Sequence, residues 1–154
     1  MSNQVNGLKD IYTILSNERK LGGVIEAKFI RLRSGEEYPN AVITNVDLMG
    51  SAFYSISFYS NEGQHMIVNV SEISMISSPI HKKIAELRNQ AFKEMKTEQK
   101  LKYLVRLYEV NEGSRNPFFL EEAKMVIMDI GVDTAGQKVD VSFLNQTAKI
   151  YSIA

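Results

Sequence analysis

The sequence predicts an α+β protein: an N-terminal helix and a small five-stranded antiparallel barrel, followed by three helices and a short tail. The prediction rests first on apolar residues that recur with a period of two between Val24 and Ile76, interrupted at short intervals by turn residues. Helical periodicity takes over before Val24 and after Pro79. Finally, the strand region is short and often turned, so it is expected to close on itself and remove its exposed edges.

The first helix is read from GLKDIYTILSNERK. There Leu8, Ile11, Tyr12 and Leu15 fall at i, i+3, i+4 and i+7, with LGG at 21–23 ending the helix. In VIEAKFIRLR the apolar set Ile25, Ala27 and Phe29 shifts phase to Ile30 and Leu32, the mark of a bulge or a sharp bend. Ser34-Gly35 turns the chain into YPNAVITNVDL, and MGS at 49–51 turns it again. Tyr54, Ile56 and Phe58 then alternate, and Asn61-Glu62-Gly63 forms a hairpin loop whose glycine supplies a positive φ. Met66, Val68 and Val70 form the next strand. A break at Ser71-Glu72 precedes Ile73, Met75 and Ile76, as a single helical turn carrying the chain around a barrel corner would produce. Ile56, Phe58, Val68 and Ile73 are the expected core positions of this sheet.

This order of helix, bent strands and a final pair split by a tight turn resembles the Sm-like fold, including the bacterial Sm-like RNA chaperone, and SH3-like barrels share the pattern. RLRSGEEYPNAVITNVDLMG is similar to the first Sm motif, with Gly35 and Asp47 in the glycine and aspartate places, and VNVSEISMI stands where the second motif would. The likeness covers residues 8–78. The chaperone's lysine-histidine pair is replaced by Val68-Asn69-Val70, so its RNA-binding residues do not carry over.

Pro79 is read as the boundary between residues 1–78 and a helical part, 79–131. In IHKKIAELRNQAFKEMK, over 80–96, Ile80, Ile84, Leu87, Ala91 and Met95 make an apolar stripe with Lys82, Lys93 and Lys96 opposite. A second helix is expected from Glu98 to Val110. The third has Asn116 as its cap, Pro117 in first position, Glu121 and Glu122 near the positive end of its dipole, and Gly131 past its end. In the tail, 132–154, Val139, Val141 and Phe143 alternate as one more strand would, with further apolar beats at Ile150, Tyr151 and Ile153.

Composition narrows the function classes. Of 154 residues, 18 are basic and 18 acidic, a balance that does not favour nucleic acid as the default partner. Residues 79–110 carry 8 basic and 4 acidic side chains, so an anionic partner would meet the chain there. No apolar run reaches membrane-spanning length and no signal peptide is recognisable, so the expectation is a cytoplasmic protein or one within an assembled particle. There is no cysteine, no phosphate-cradling loop, no dinucleotide fingerprint, no zinc-protease or EF-hand spacing and no serine elbow. His65, His81, Glu36, Glu37, Glu121 and Glu122 all have ordinary structural readings. No catalytic residue, metal ligand or cofactor is therefore assigned, and the chain is not expected to be an enzyme.

What stands out is surplus apolar surface. In the second helix Leu101, Leu104, Val105 and Tyr108 share one side, while Tyr103, Leu107 and Val110 share another. In the third, Phe119, Ala123, Val126, Ile127 and Ile130 face one way, and Phe118, Met125 and Met128 another. A helix apolar on two sides is covered on two sides. The expected function is that of a non-enzymatic structural protein. It would self-associate or dock with another protein subunit in a larger assembly such as a virus-like particle or ring, a virion component for example, through Tyr103, Leu107, Val110, Phe118, Met125 and Met128. The alternative is an Sm-like nucleic-acid-binding regulator using the barrel and Lys82, Lys93 and Lys96 on helix 80–96.

Overall fold

The computed structural model describes residues 3–17 and 22–144. The chain forms two compact units, one ending at Met95 and one beginning at Lys96, whereas the sequence reading divides it at Pro79. The protein mixes helices with an antiparallel sheet.

The first unit contains strand β1 (Asn3–Gln4), helix α1 (Leu8–Ser16) and strands β2 (Val24–Leu32), β3 (Glu37–Met49), β4 (Ala52–Tyr59) and β5 (His65–Asn69). A 3-10 turn at Val70–Glu72 leads to β6 (Ile73–Ser77) and β7 (Ile80–Lys82). A second such turn, Ile84–Glu86, precedes helix α2 (Gln90–Val110). The strands form a 7-stranded sheet in the order β1-β7-β2-β3-β4-β5, with β6 also paired to β2. Two short strands, β1 and β7, therefore join the five expected from the sequence.

Strand β2 organises this sheet. One edge pairs with β3, while the other carries β7 at Val24–Glu26 and then β6 at Phe29–Leu32. The apolar phase changes where the edge partner changes, from buried Ile25 and Ala27 to buried Ile30. The register irregularity against β6 falls between Arg31 and Leu32. The interruption at Ser71-Glu72 is the first 3-10 turn, and the carbonyl of Glu72 accepts the Arg33 N–H at 2.8 Å. Ile56 and Phe58 are fully buried with Ile11, Ile25, Ile30 and Ile43, and Val68, Ile73 and Ile76 pack half-buried against them. Gly63 has φ +84 and its N–H closes the hairpin on the Ser60 carbonyl at 2.9 Å. Gly23 is demanded by proximity: a Cβ there would lie 2.4 Å from the Lys82 carbonyl oxygen. Helix α1 ends at Ser16, ahead of the LGG expected to stop it, with Asn17 as its cap.

The helix expected over 80–96 is corrected. Ile80–Lys82 is strand, paired with both β1 and β2, and α2 begins only at Gln90. The i, i+4, i+7 spacing of Ile80, Ile84 and Leu87 looks helical, but the open edge of β2 at Val24–Glu26 offers backbone partners that local periodicity does not register. Ile84 and Leu87 are still buried, through the 3-10 turn. The cap of α2 is Asn89, whose Oδ1 accepts the Phe92 N–H at 3.0 Å. From there the helix runs unbroken to Val110, since nothing in Lys96-Thr97-Glu98 stops it.

A buried polar cluster fixes this junction. Glu26 is 2% exposed, and its Oε1 lies 2.6 Å from Lys82 Nζ. Its Oε2 accepts the N–H groups of Arg88 at 3.1 Å and Asn89 at 2.9 Å. The Asn89 side-chain amide donates to the carbonyls of Asn40 and Ser60, each at 2.9 Å. Among the described residues no buried side-chain nitrogen or oxygen lacks a partner.

The second unit holds the rest of α2, helix α3 (Pro117–Ile130) and helix α4 (Val132–Gly136). Asn116 Oδ1 accepts the Phe118 N–H at 2.9 Å, Pro117 is the first helical residue, and Gly131 ends the helix at φ +101, as the sequence predicts. The strand expected through Val139, Val141 and Phe143 is not formed. The Lys138 and Val139 N–H groups return to the Ala135 carbonyl, and the Asp140 carboxylate accepts the Ser142 N–H at 2.9 Å and turns the chain. The expected beats at Ile150, Tyr151 and Ile153 lie outside the described residues.

Two outcomes test this packing by urea denaturation. Phe58→Ala is expected to cost about 3–5 kcal/mol, the range for emptying a buried aromatic site; an unchanged midpoint would place the ring at the surface. Glu26→Ala is expected to cost about 3–5 kcal/mol by stranding the Lys82 charge. The double replacement Glu26→Met with Lys82→Met recovers only part of that loss, because the Arg88 and Asn89 N–H groups still lose their acceptor. Full recovery would show that the backbone bonds contribute nothing.

Candidate interaction surface

The apolar sides of α2 and α3 separate into an inner and an outer set. On α2, Leu104 is fully buried, and Leu101, Val105 and Tyr108 are half-buried around it. On α3 the inner set is Ala123, Val126, Ile127 and Ile130, all buried. The other sides face outward. Tyr103 is 41% exposed, Val110 76%, Phe118 82% and Met128 41%, while Leu107 and Met125 are half-buried.

A hydrogen bond joins the two outward stripes. The Tyr103 hydroxyl donates to Glu122 Oε1 at 2.8 Å. Phe118 and Met125 stand four residues before and three after Glu122, so they share its side of α3 and flank this contact. Tyr103 and Leu107 are likewise four apart on α2. Met128 lies further around α3, toward Val132, which is also exposed. Of these residues, sequence reasoning gave Glu122 only a role at the helix dipole. Its pairing with a tyrosine 19 positions away has no local signal. Exposed Leu48, Met49, Tyr54, Ile67 and Met75 in the first unit were also missed. Tyr54 alternates with Ile56 and Phe58, but only the latter two are buried.

The basic set does not form one stripe. Lys82 lies on β7 with its side chain 13% exposed and its charge matched by Glu26. Only Lys93 and Lys96 are on α2, each half-buried. The remaining polar candidates have structural partners. A His81 ring nitrogen lies 2.8 Å from the Gly22 carbonyl oxygen, and the His65 ring packs 5.0 Å from that of Tyr59. Glu37 accepts from Arg31 Nε at 2.7 Å. Glu36 accepts the Tyr38 hydroxyl at 2.6 Å, and this bond, with smaller contributions from burial and the carboxylate charge, raises the phenol above its usual value. Gly35 takes φ +94 at the β2–β3 turn, and Asp47 on β3 accepts from Asn45 at 2.9 Å. Among the described residues no three His, Asp or Glu side chains are grouped to hold a metal ion, and no helix is long and apolar enough to cross a membrane.

The inner side of α2 carries a further tie. The Tyr108 hydroxyl donates to the Asp140 carbonyl at 2.8 Å. Burial first, and the Asp140 charge second, raise this phenol above the usual 10.0. The folded state therefore favours the protonated phenol. Its contribution is fully present below about pH 10 and is lost as the pH rises through the higher folded-state value. Tyr108→Phe is expected to flatten the fall in melting temperature above about pH 10; an equally steep fall would assign the alkaline loss to other groups.

No protein-family model, no curated protein and no solved structure matches this chain.

Proposed function

We propose that the chain is a non-enzymatic assembly protein that associates with copies of itself, or with another protein subunit, through the outward side of α2 and α3. The observation that carries this reading is the exposure of Val110 at the end of α2 and of Phe118 at the start of α3, 76% and 82%, on helices that also expose Tyr103 and Met128. Burying a phenylalanine of this kind contributes about 1.5–3 kcal/mol, so a few such side chains suffice to hold a contact. Apolar side chains gathered on one surface mark an interaction site more often than scattered ones do.

We also read the five strands β2–β6 as a small Sm-like or SH3-like barrel. The pairing of β2 with both the next strand, β3, and the last of the five, β6, supports that reading, as does the 3-10 turn between β5 and β6. The nucleic-acid alternative relied on a basic helix over 80–96. It is weaker with Lys82 neutralised by Glu26 and placed on a strand. A ring or a particle is the form of assembly that a repeated contact between copies would build.

In sedimentation velocity the wild type is expected to run as an oligomer, and the Val110→Lys, Phe118→Lys pair as a monomer. The variant should keep its fold by circular dichroism, because both side chains are largely exposed on the chain itself, and should lose any dependence of the melting temperature on concentration. A wild type that stays monomeric across the concentration range overturns self-association. Titrated with single-stranded RNA and duplex DNA, the wild type is expected to show no steep salt-dependent binding. Tight binding whose salt slope falls by about one unit per lysine in Lys93→Gln, Lys96→Gln would establish the alternative.

A further inference from the structure

Around the end of α2 and the start of α3 lies a cleft of about 690 Å³, open to solvent on one side, with a volume in the range that holds small organic molecules. Its lining includes none of the outward side chains Tyr103, Val110 and Phe118. Its apolar lining is mainly aromatic, with Tyr108 near the end of α2, Phe119 in the first turn of α3 and Phe143 beyond α4, beside the aliphatic Leu120. The Tyr108 and Phe119 rings meet edge to face with centroids 5.3 Å apart. The bond from the Tyr108 hydroxyl to the Asp140 carbonyl fixes the first of these rings in place.

The charged lining is one-sided. Glu109, Glu112 and Asp140 contribute carboxylates, against the single guanidinium of Arg115. Asp140 accepts the Ser142 N–H at 2.9 Å, and that bond holds its carboxyl below the usual 3.8, so the group stays ionised at neutral pH.

We propose that this cleft binds a small organic ammonium ion, a primary or methylated amine on a short apolar body. Ring faces carry a negative quadrupole and attract a cation, and the surplus carboxylates set the sign of the long-range field. An anion would meet that surplus directly. A neutral apolar molecule would desolvate the carboxylates without compensating them. A hard metal ion needs several oxygen ligands converging on one point, and among the described residues no such group exists. A weakly hydrated organic cation satisfies both the rings and the charges.

The test uses the full chain and follows amide NMR shifts of Gly113, Ser114, Phe119 and Ser142. The probe is tetramethylammonium chloride, with tert-butanol as the neutral analogue and sodium chloride at matched ionic strength. Saturable shifts confined to the cleft are expected with tetramethylammonium, about tenfold weaker binding with tert-butanol, and no saturation with sodium chloride. Glu109→Gln with Glu112→Gln, both exposed positions, is expected to weaken tetramethylammonium binding several-fold with the fold unchanged. Phe119→Leu should weaken it further; if that variant unfolds, the glutamine pair decides alone. The proposal is overturned by shifts that do not saturate, by equal affinity for tert-butanol, by reproduction with sodium chloride, or by a glutamine pair that binds as the wild type does. None of these outcomes depends on self-association, which rests on other residues.

Discussion

Glu26 sits inside the protein with a charge it cannot surrender to water, and the surrounding fold answers that constraint. Burying a carboxylate costs several kcal/mol unless donors replace its hydration. Here the donors come from sequence positions about sixty residues away: the Lys82 ammonium on β7 and the N–H groups of Arg88 and Asn89 ahead of α2. Their convergence holds β7 on the edge of β2 and settles where α2 begins. Asn89 extends the cluster, since the same residue caps the helix with its oxygen and holds the Asn40 and Ser60 carbonyls with its nitrogen. One side chain thereby serves a helix start, the first part of β3 and the residue that follows β4. Gly23 belongs to the same constraint, because only a residue without a Cβ lets the chain pass so close to the Lys82 carbonyl.

This cluster also marks where local reading of the sequence stops. Glu26 alternates with Ile25 and Ala27, and a polar residue in such alternation is read as solvent-facing. Whether that face is covered depends on a segment that arrives after five further strands and turns. The same holds for Ile80–Lys82, where i, i+4 spacing indicates a helix and only the vacant edge of β2 makes a strand better. Features decided within a few residues were legible. Asn116, Pro117 and Gly131 bound α3 through their own backbone chemistry, Gly63 closes its hairpin, and the 3-10 turn at Val70–Glu72 accounts for the break before β6. Ile56 and Phe58 followed from period two alone. The Val139–Phe143 alternation failed because the Asp140 carboxylate competes for the Ser142 N–H, a preference aspartate shows at turns and caps.

The outward side of the helical unit was legible for a related reason. Counting apolar residues per helical face needs no knowledge of partners, so Tyr103, Leu107 and Val110, and Phe118, Met125 and Met128, stood out on each helix separately. Their juxtaposition did not, because it depends on the Tyr103–Glu122 bond between two helices. The Lys82, Lys93, Lys96 stripe was drawn on a helix that begins eight residues later than Lys82. A charge pattern carries meaning only on the element that bears it.

Phe118 and Phe119 show how closely two roles can be placed. Adjacent residues on an α-helix point about 100° apart, so the first turn of α3 presents one ring outward and turns the next toward Tyr108. Both rings depend on the same cap, because Asn116 and Pro117 fix the rotation of the helix from its first residue. A weakened cap would disturb both surfaces together, whereas replacing either ring disturbs one. Asn116→Ala removes the acceptor of the Phe118 N–H and is expected to cost about 1 kcal/mol. Because it acts on the start of the helix, self-association and ammonium binding should both decline in this variant. Loss of one with the other intact would show that the two surfaces are positioned independently of the cap they share.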